Sequence, residues 1–190
     1  PALGYFGRAR LAAQSRLPRL QRPQSLMLWY PVGASGEAIQ FEPGVLDHFD
    51  RNRQLHFWHR EAGGQLFARI DGHRIVVSEA TGPRPEDKRG RTFFEPDRRS
   101  EQAEIDGLFA RDLHYVGDWH THPERRPTPS ARDHLTMASR VRLSRHRLAG
   151  FLFVIVGQLP PPIGLTLVVH DGTSGHLLAP ADVDLLAGPE

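Results

Sequence analysis

A pair of histidines is followed in this chain by a proline-rich turn and the start of a helix. His120 and His122 follow a short strand-like run, and in extended backbone residues two apart project to the same side. Prolines within residues 123–129 exclude regular structure there. Ser130, with Asp133 three residues later, then has the character of a helix N-cap. The sequence therefore predicts that the start of a helix folds back over the two imidazoles.

The side chains that meet at this turn suit a catalytic metal ion. The chain has no cysteine, so a metal must use histidine and carboxylate ligands. His120, His122 and Asp133 offer two nitrogens and one oxygen, which leaves the fourth position of a tetrahedral zinc site open. An open position is typical of catalytic zinc, because water bound there loses a proton near neutral pH. We therefore predict one Zn²⁺ per chain, held by these three residues.

Each part of this pattern also has an ordinary structural interpretation. A chain with 11 histidines produces His-x-His pairs by chance. Ser130 and Asp133 form a competent capping box with or without a metal. The other histidines, including His114 and His134, have no spacing that demands a metal and are predicted to be structural. What separates this segment from chance is the dense combination of His-Thr-His-Pro, six residues, and Ser-x-x-Asp.

That combination resembles, residue for residue, the JAMM signature of the JAB/MPN metallopeptidase family. Thr121 stands where many members carry serine, and Glu61-Ala-Gly-Gly resembles the Glu-x-Gly-Gly segment that precedes the signature in the family. The resemblance extends over residues 26–171. It is closest to prokaryotic JAB deubiquitinase-like proteins of CBASS and other ubiquitin-like anti-phage operons. It implies a JAB/MPN, cytidine-deaminase-like architecture.

The function that this resemblance implies is that of a zinc metallo-isopeptidase. Such an enzyme cleaves a ubiquitin-like modifier, or its fusion or precursor, from a conjugated protein. Glu61 would take a proton from water, and Ser130 would donate to the developing oxyanion. The implied partners are the modifier or its conjugate, with an extended C-terminal tail, and activating- or conjugating-enzyme-like products of the same operon. Two alternatives stay open: a zinc hydrolase of a small amide or peptide, and a non-catalytic MPN scaffold, although such scaffolds typically lack zinc ligands.

A long segment without helical or strand period, residues 82–100, is the candidate substrate-binding loop. Structureless loops longer than about 12–15 residues tend to be lids or binding loops. Phe93 and Phe94 lie in the middle of the segment. We predict that they line a groove that accepts the tail of the modifier as an added strand.

The rest of the chain reads as strands and helices of ordinary length. Strands are predicted at residues 26–32, 65–70, 74–79, 115–119, 151–156 and 165–170, and helices after Pro43, from Ser100 and at 130–147. In the last helix Leu135, Ala138 and Val141 are predicted to face the core. Because the strands are partly clustered and partly separated by helices, we predict an α/β fold with a mixed sheet flanked by helices.

Composition favours one soluble domain. Hydrophobic residues make up 39% and charged residues 24% of the chain, and no apolar run approaches a membrane span. The domain is predicted at residues 25–180, between a basic N-terminal tail or linker at 1–24 and a C-terminal tail at 181–190. The N-terminal segment is rich in arginine but lacks interleaved aromatic residues, so nucleic acid is not the expected partner. No signal peptide is recognisable, and a cytoplasmic location in a prokaryote is expected.

Overall fold

The computed structural model describes residues 27–34 and 36–181, which contain ten strands and three helices. The strands are β1 Leu28–Val32, β2 Glu37–Phe41, β3 Gly63–Asp71, β4 Arg74–Ala80, β5 Lys88–Arg89, β6 Phe94–Glu95, β7 His114–Thr121, β8 Phe151–Val156, β9 Leu165–His170 and β10 Gly175–Leu178. The helices are α1 Pro43–Asn52, α2 Arg98–Phe109 and α3 Ala131–Leu143. None of these three helices has the length and apolar character needed to cross a bilayer. The predicted tails lie outside the described residues, apart from Ala181.

Eight of the described strands form one mixed sheet, in the order β1-β2-β4-β3-β7-β8-β9-β10. Neighbouring strands are antiparallel except for β2 with β4 and β7 with β8, which run parallel. The backbone N–H of Ala181 donates to the carbonyl of Trp29 in β1 at 2.8 Å, so the chain after β10 reaches the opposite edge of the sheet. The mixed sheet flanked by helices that the sequence predicted is confirmed.

The helices cover both faces of the sheet. On one face, α1 buries Val45, Leu46 and Phe49 in a cluster that also contains Trp119. On the other face, α3 buries Met137 and Val141, with α2 beside it. Successive side chains of β8 point to opposite faces of the sheet. On the α1 side lie Leu152, Val154 and Val156, and on the α3 side lie Phe151, Phe153 and Ile155. The strands at the centre of the sheet, β7 among them, are therefore packed on both faces.

The structure adds short elements that the sequence pattern did not reveal. β2 and β10 were not predicted, although Ile39 and Phe41 of β2 are fully buried. The prediction that residues 82–100 lack regular structure was wrong, because β5 and β6 form a two-stranded antiparallel ladder there. α2 begins before Ser100, with Asp97 as the N-cap that accepts from the backbone N–H of Ser100. β5, β6 and β10 have two to four residues, which is too short for an alternating pattern to be detected.

The predicted inward face of α3 was also wrong in part. Leu135 is 73% exposed, whereas Met137 is 1% exposed. Asp133 and Arg140 both have partners on the sheet side of the helix, and together with Met137 they recur at i, i+4 and i+7. Apolar periodicity alone selected the wrong phase, because two polar residues share the buried face.

Candidate metal centre and active-site cleft

The two histidines of the motif lie at the end of β7 with their imidazoles side by side. His120 is the penultimate residue of the strand and His122 follows it, and their Nε2 atoms are 3.1 Å apart. The backbone N–H of His122 donates to the carbonyl of Val156 at 2.9 Å, which extends the pairing with β8 beyond the end of β7. The prediction that both side chains project to one side of an extended segment is confirmed.

Asp133 reaches the imidazoles from the first turn of α3. One carboxylate oxygen lies 3.2 Å from Nε2 of His120, and the other lies 3.4 Å from Nε2 of His122. Burial by itself would raise the pKa of Asp133, but hydrogen bonds with His120 and His122 hold this pKa well below its usual range. The carboxylate is therefore ionised, which is the form that binds a metal.

The donor set fits a tetrahedral zinc ion. Zinc–ligand bonds of about 2.0–2.1 Å place the ligand atoms about 3.3–3.4 Å from one another. The two Nε2 atoms are 3.1 Å apart, and Nε2 of His120 lies 3.2 Å from one oxygen of Asp133, both close to that value. Nε2 of His122 lies 3.4 Å from the other oxygen of the same carboxylate. One ligand atom from each of the three residues lies within 4.8 Å of the others, and each residue is partly buried. The three residues can hold one metal ion with room for a further ligand.

Ser130 and Asp133 form the capping box that the sequence predicted. The hydroxyl of Ser130 accepts from the backbone N–H of Asp133 at 3.2 Å, and the Asp133 carboxylate accepts from the backbone N–H of Ser130 at 2.7 Å. A hydroxyl that accepts this bond keeps its own proton free to donate. Capping and donation into the cleft are therefore compatible at Ser130.

Glu61 lies just before β3 and is held by its backbone. Its N–H donates to the carbonyl of Gly90 at 2.7 Å, and its carbonyl accepts from Nε of Arg89 at 2.7 Å. Glu61 as a whole residue is 8% exposed. Burial raises the pKa of its carboxyl group, and the nearby imidazoles of His120 and His122 oppose that rise. The buried carboxylate thus stands in the electrostatic field of the proposed ligands.

One cleft of about 470 Å³ brings the predicted site residues together. Its walls include Glu61, His120, His122, Ser130 and Asp133, as well as Phe93 and Phe94 of the segment between β5 and α2. The ring of Phe94 packs so close to Gly63 that a Cβ there would lie 2.6 Å from it. The five candidate catalytic and metal-binding side chains and the two candidate substrate-contacting rings therefore share one surface.

Sequence reasoning missed the polar contacts that support the cleft. Thr121 accepts from the backbone N–H of Ala62 and donates to Gln54, and both bonds are 2.9 Å long. Asp118 forms an ion pair with Arg140, and Trp119 donates from Nε1 to the carbonyl of Thr81. The alternation along β7 places Thr121 opposite the histidines, but nothing in the sequence identifies Gln54 or Arg140 as partners.

The central strand of the mixed sheet ends in two histidines, and an aspartate from the first turn of α3 lies against them. This combination of fold and site points to a family of metal-dependent hydrolases. Residues 46–167 match the family described as prokaryotic homologues of the JAB domain, and the chain belongs to this family.

Curated relatives of the chain share a name. The chain is 36% identical over 89 residues to a "CD-NTase/cGAS isopeptidase" of Escherichia coli (strain TW11681), an alignment that covers 45% of this chain and 57% of that protein. It is 31% identical over 123 residues to a protein of the same name from Pseudomonas aeruginosa (strain BWHPSA011 / Pa011), which covers 63% of this chain and 77% of that protein. The chain therefore spans little more than half of the E. coli relative.

A solved structure supports the fold alone. A protein of Desulfitobacterium hafniense determined in solution superposes with a TM-score of 0.53 at 19% identity, over 73% of this chain and 88% of that one. At this identity the likeness concerns the arrangement of the sheet and helices.

Proposed function

We propose that the chain is a zinc-dependent isopeptidase that releases a ubiquitin-like modifier, or cleaves its fusion or precursor. The observation that carries the proposal is the set of three histidine and aspartate donors within 4.8 Å of one another, in one cleft with a buried glutamate. Membership of the JAB family supports hydrolysis at a metal centre, and the name isopeptidase among the relatives supports an isopeptide bond as the target.

In this proposal His120, His122 and Asp133 hold the zinc. The metal supplies a Lewis acid for water and for the scissile carbonyl. Its three protein ligands come from the end of β7 and the start of α3, two elements anchored in the centre of the fold. A site built on such elements holds its ligands in position before substrate arrives.

Glu61 is the proposed general base and then the general acid. It takes a proton from the attacking water as the new carbon–oxygen bond forms. It then gives that proton to the amine nitrogen as the carbon–nitrogen bond breaks, which yields a carboxylic acid and a free amine. Ser130 donates its hydroxyl proton to the oxyanion that develops on the carbonyl oxygen.

The segment between β4 and α2 is the proposed binding site for the modifier's tail. Arg84 holds the segment to the domain, because its Nε donates to Glu104 at 2.7 Å and its Nη2 donates to Gln65 at 3.1 Å. Phe93 and Phe94 lie on the cleft side, and the β5–β6 ladder offers strand edges beside them. An extended peptide can add to such an edge with main-chain hydrogen bonds.

The wider setting follows from the same proposal. The domain would comprise residues 25–180 and act in the cytoplasm of a bacterium, within an anti-phage ubiquitin-like conjugation pathway. Its partners would be the conjugate and the activating- or conjugating-enzyme-like proteins that make it. Neither a membrane nor nucleic acid has a role in the proposal.

A small amide or peptide is the second candidate substrate. The cleft volume of about 470 Å³ falls within the range of small-ligand pockets, about 300–1,000 Å³. A non-catalytic scaffold is the weakest alternative, since Glu61 and all three donor residues are present.

Cleavage of matched substrates tests the proposal. Zinc-loaded protein is incubated with a ubiquitin-like protein joined by an isopeptide bond to lysine, and separately with a short peptide that carries the same tail and bond. We expect a free modifier C-terminus by mass spectrometry, a much higher kcat/KM for the protein conjugate, and no product with Glu61→Gln. Equal efficiency on both substrates would favour the small-peptide alternative, and no cleavage of either would refute the hydrolase.

A further inference from the structure

The strand that carries the histidines meets helix α3 at a second place, below the proposed metal centre. Asp118, two residues before His120, lies with its Oδ2 2.9 Å from Nε of Arg140. The side chains of Asp118 and Arg140 are 15% and 19% exposed, and both residues border the cleft. We propose that Asp118 and Arg140 are positioning residues that set where Asp133 meets the two imidazoles, an inference that rests on the proposed metal function.

Two contacts, Asp118 with Arg140 and His120 with Asp133, connect the same strand to the same helix. Asp118 and His120 project from the same side of β7, because residues two apart in a strand share a face. Asp133 and Arg140 are seven residues apart, or nearly two helical turns, and so share a face of α3. Along β7 the order is Asp118 then His120, whereas their partners on α3 come in the reverse order. The helix therefore runs antiparallel to the strand and is fixed to it at two heights.

Arg140 is itself held by a third element. Its Nη2 donates to the two carboxylate oxygens of Glu101 in α2, at 2.8 and 3.1 Å. The Glu101 side chain is only 5% exposed and accepts from Nη1 of Arg98 at 2.8 Å. On the strand side, Asp118 accepts from the hydroxyl of Tyr115 at 2.9 Å. One guanidinium thus ties β7, α2 and α3 together directly under the proposed metal ligands.

Directional contacts matter here because the packing of α3 on the sheet is largely apolar. Met137 and Val141 pack on β8, and such contacts are not directional, so they tolerate small shifts along the helix axis. The guanidinium of Arg140 tolerates such shifts less, because its Nη2 donates to both carboxylate oxygens of Glu101 in fixed directions. Its Nε makes an ion pair with Asp118, at 2.9 Å from Oδ2, without a hydrogen bond of good geometry. A shift of α3 would move Asp133 relative to His120 and His122. The Arg140 contacts therefore fix the position of α3 along its axis, and with it the position of the Asp133 carboxylate relative to the two imidazoles.

General stabilisation is a weaker account of the same residues. Buried ion pairs often contribute little net stability, because removal of the charges from water offsets their attraction. Their best-attested contribution is to fix one arrangement of the packed elements. The location of Asp118 and Arg140, each on the same element and face as a proposed metal ligand, favours that role.

Arg140→Lys is the decisive variant, because it retains the positive charge but cannot bridge two carboxylates in one plane. Zinc affinity is measured by competition with a chromogenic chelator, beside kcat and the free energy of unfolding of the metal-free protein. We expect the affinity to fall about 10-fold, the low end of the range typical when a group bonded directly to a metal ligand is lost, because Arg140 acts on the ligands only through the placement of α3. Asp118→Asn, which keeps the size of the side chain, should weaken zinc binding in the same direction and serves if Arg140→Lys does not fold.

Val141→Ala is the matched control. Val141 is buried beside Arg140 on α3 but has no part in the ion pairs, so its truncation loosens packing alone. We expect Val141→Ala to lower stability and keep wild-type zinc affinity. If Val141→Ala weakens zinc binding as much as Arg140→Lys does, or if neither charge variant changes it, the positioning role is refuted. If the wild-type protein itself binds no zinc, the proposed metal function fails first, so the two failures are distinguishable.

Discussion

The hydroxyl of Thr121 accepts a hydrogen bond of 2.9 Å from the backbone N–H of Ala62, the residue after Glu61. The backbone N–H of Thr121 in turn donates to the carbonyl of Ala62 at 2.8 Å. Because Thr121 stands between His120 and His122, this pair of bonds fixes the proposed base relative to the proposed metal ligands. The middle residue of the His-x-His pair is thus part of what assembles the site.

Replacement of Thr121 tests this link. Thr121→Val keeps the shape but leaves the buried N–H of Ala62 and the Gln54 side chain without their partner, which should cost about 1–3 kcal/mol of folding free energy. It should also lower kcat, because Glu61 is less well fixed. Thr121→Ser is the control and should retain both properties. Denaturant unfolding and steady-state kinetics measure them, and normal turnover in a folded Thr121→Val protein would contradict the positioning of Glu61 by this residue.

Ser130→Ala separates capping from catalysis. Loss of the cap alone should lower the free energy of unfolding by about 1 kcal/mol. Loss of an oxyanion donor should lower kcat about 100- to 1,000-fold. We expect both effects, measured by denaturant unfolding and by single-turnover kinetics at saturating substrate. A variant that loses stability but keeps full turnover would show that Ser130 serves only as a cap.

The second glycine of Glu-x-Gly-Gly has a steric role that can be tested without any substrate. A Cβ on Gly64 would lie 1.9 Å from the carbonyl oxygen of Thr81, a backbone atom that cannot turn away. Gly64→Ala should therefore destabilise the protein by about 3 kcal/mol or more. Gly72→Ala is the control, because Gly72 has a positive φ of 56° but open space around it, and should cost about 1–2 kcal/mol. Equal thermal stability of the two variants would contradict the close approach of β3 to residues 81–82.

Phe93→Ala tests the proposed tail-binding surface. Phe93 lines the cleft and is 42% exposed, so its ring is available to substrate. We expect KM for a protein conjugate to rise at least about fivefold, the equivalent of about 1 kcal/mol of binding, with little change in kcat. Phe57→Ala is the control, since Phe57 is 74% exposed and lies outside the cleft walls. If the two variants have the same KM, Phe93 has no part in binding.

How much the sequence could reveal depended on the range of the contacts involved. β8 and β9 have the boundaries that the apolar runs predicted. A strand with both faces packed in the core is apolar along most of its length, so its ends can be seen in the sequence. His120, His122 and Asp133 converge as predicted, because a strand, a stiff turn and a helix start leave few arrangements. The buried face of α3 could not be predicted, since Met137 shares it with Asp133 and Arg140, whose partners come from other elements. The same is true of Gln54, which reaches Thr121 from a distant part of the chain.

Metal analysis of the purified protein shows whether His120, His122 and Asp133 hold zinc. Protein prepared without chelator and supplemented with zinc is dialysed, and bound metal is measured by mass spectrometry for the wild type and for His120→Ala. We predict about one equivalent of zinc in the wild type, as three protein ligands with one open position imply, and a large loss in the variant. A wild-type protein that retains no zinc, or a His120→Ala protein that retains as much, would contradict a metal centre formed by His120, His122 and Asp133.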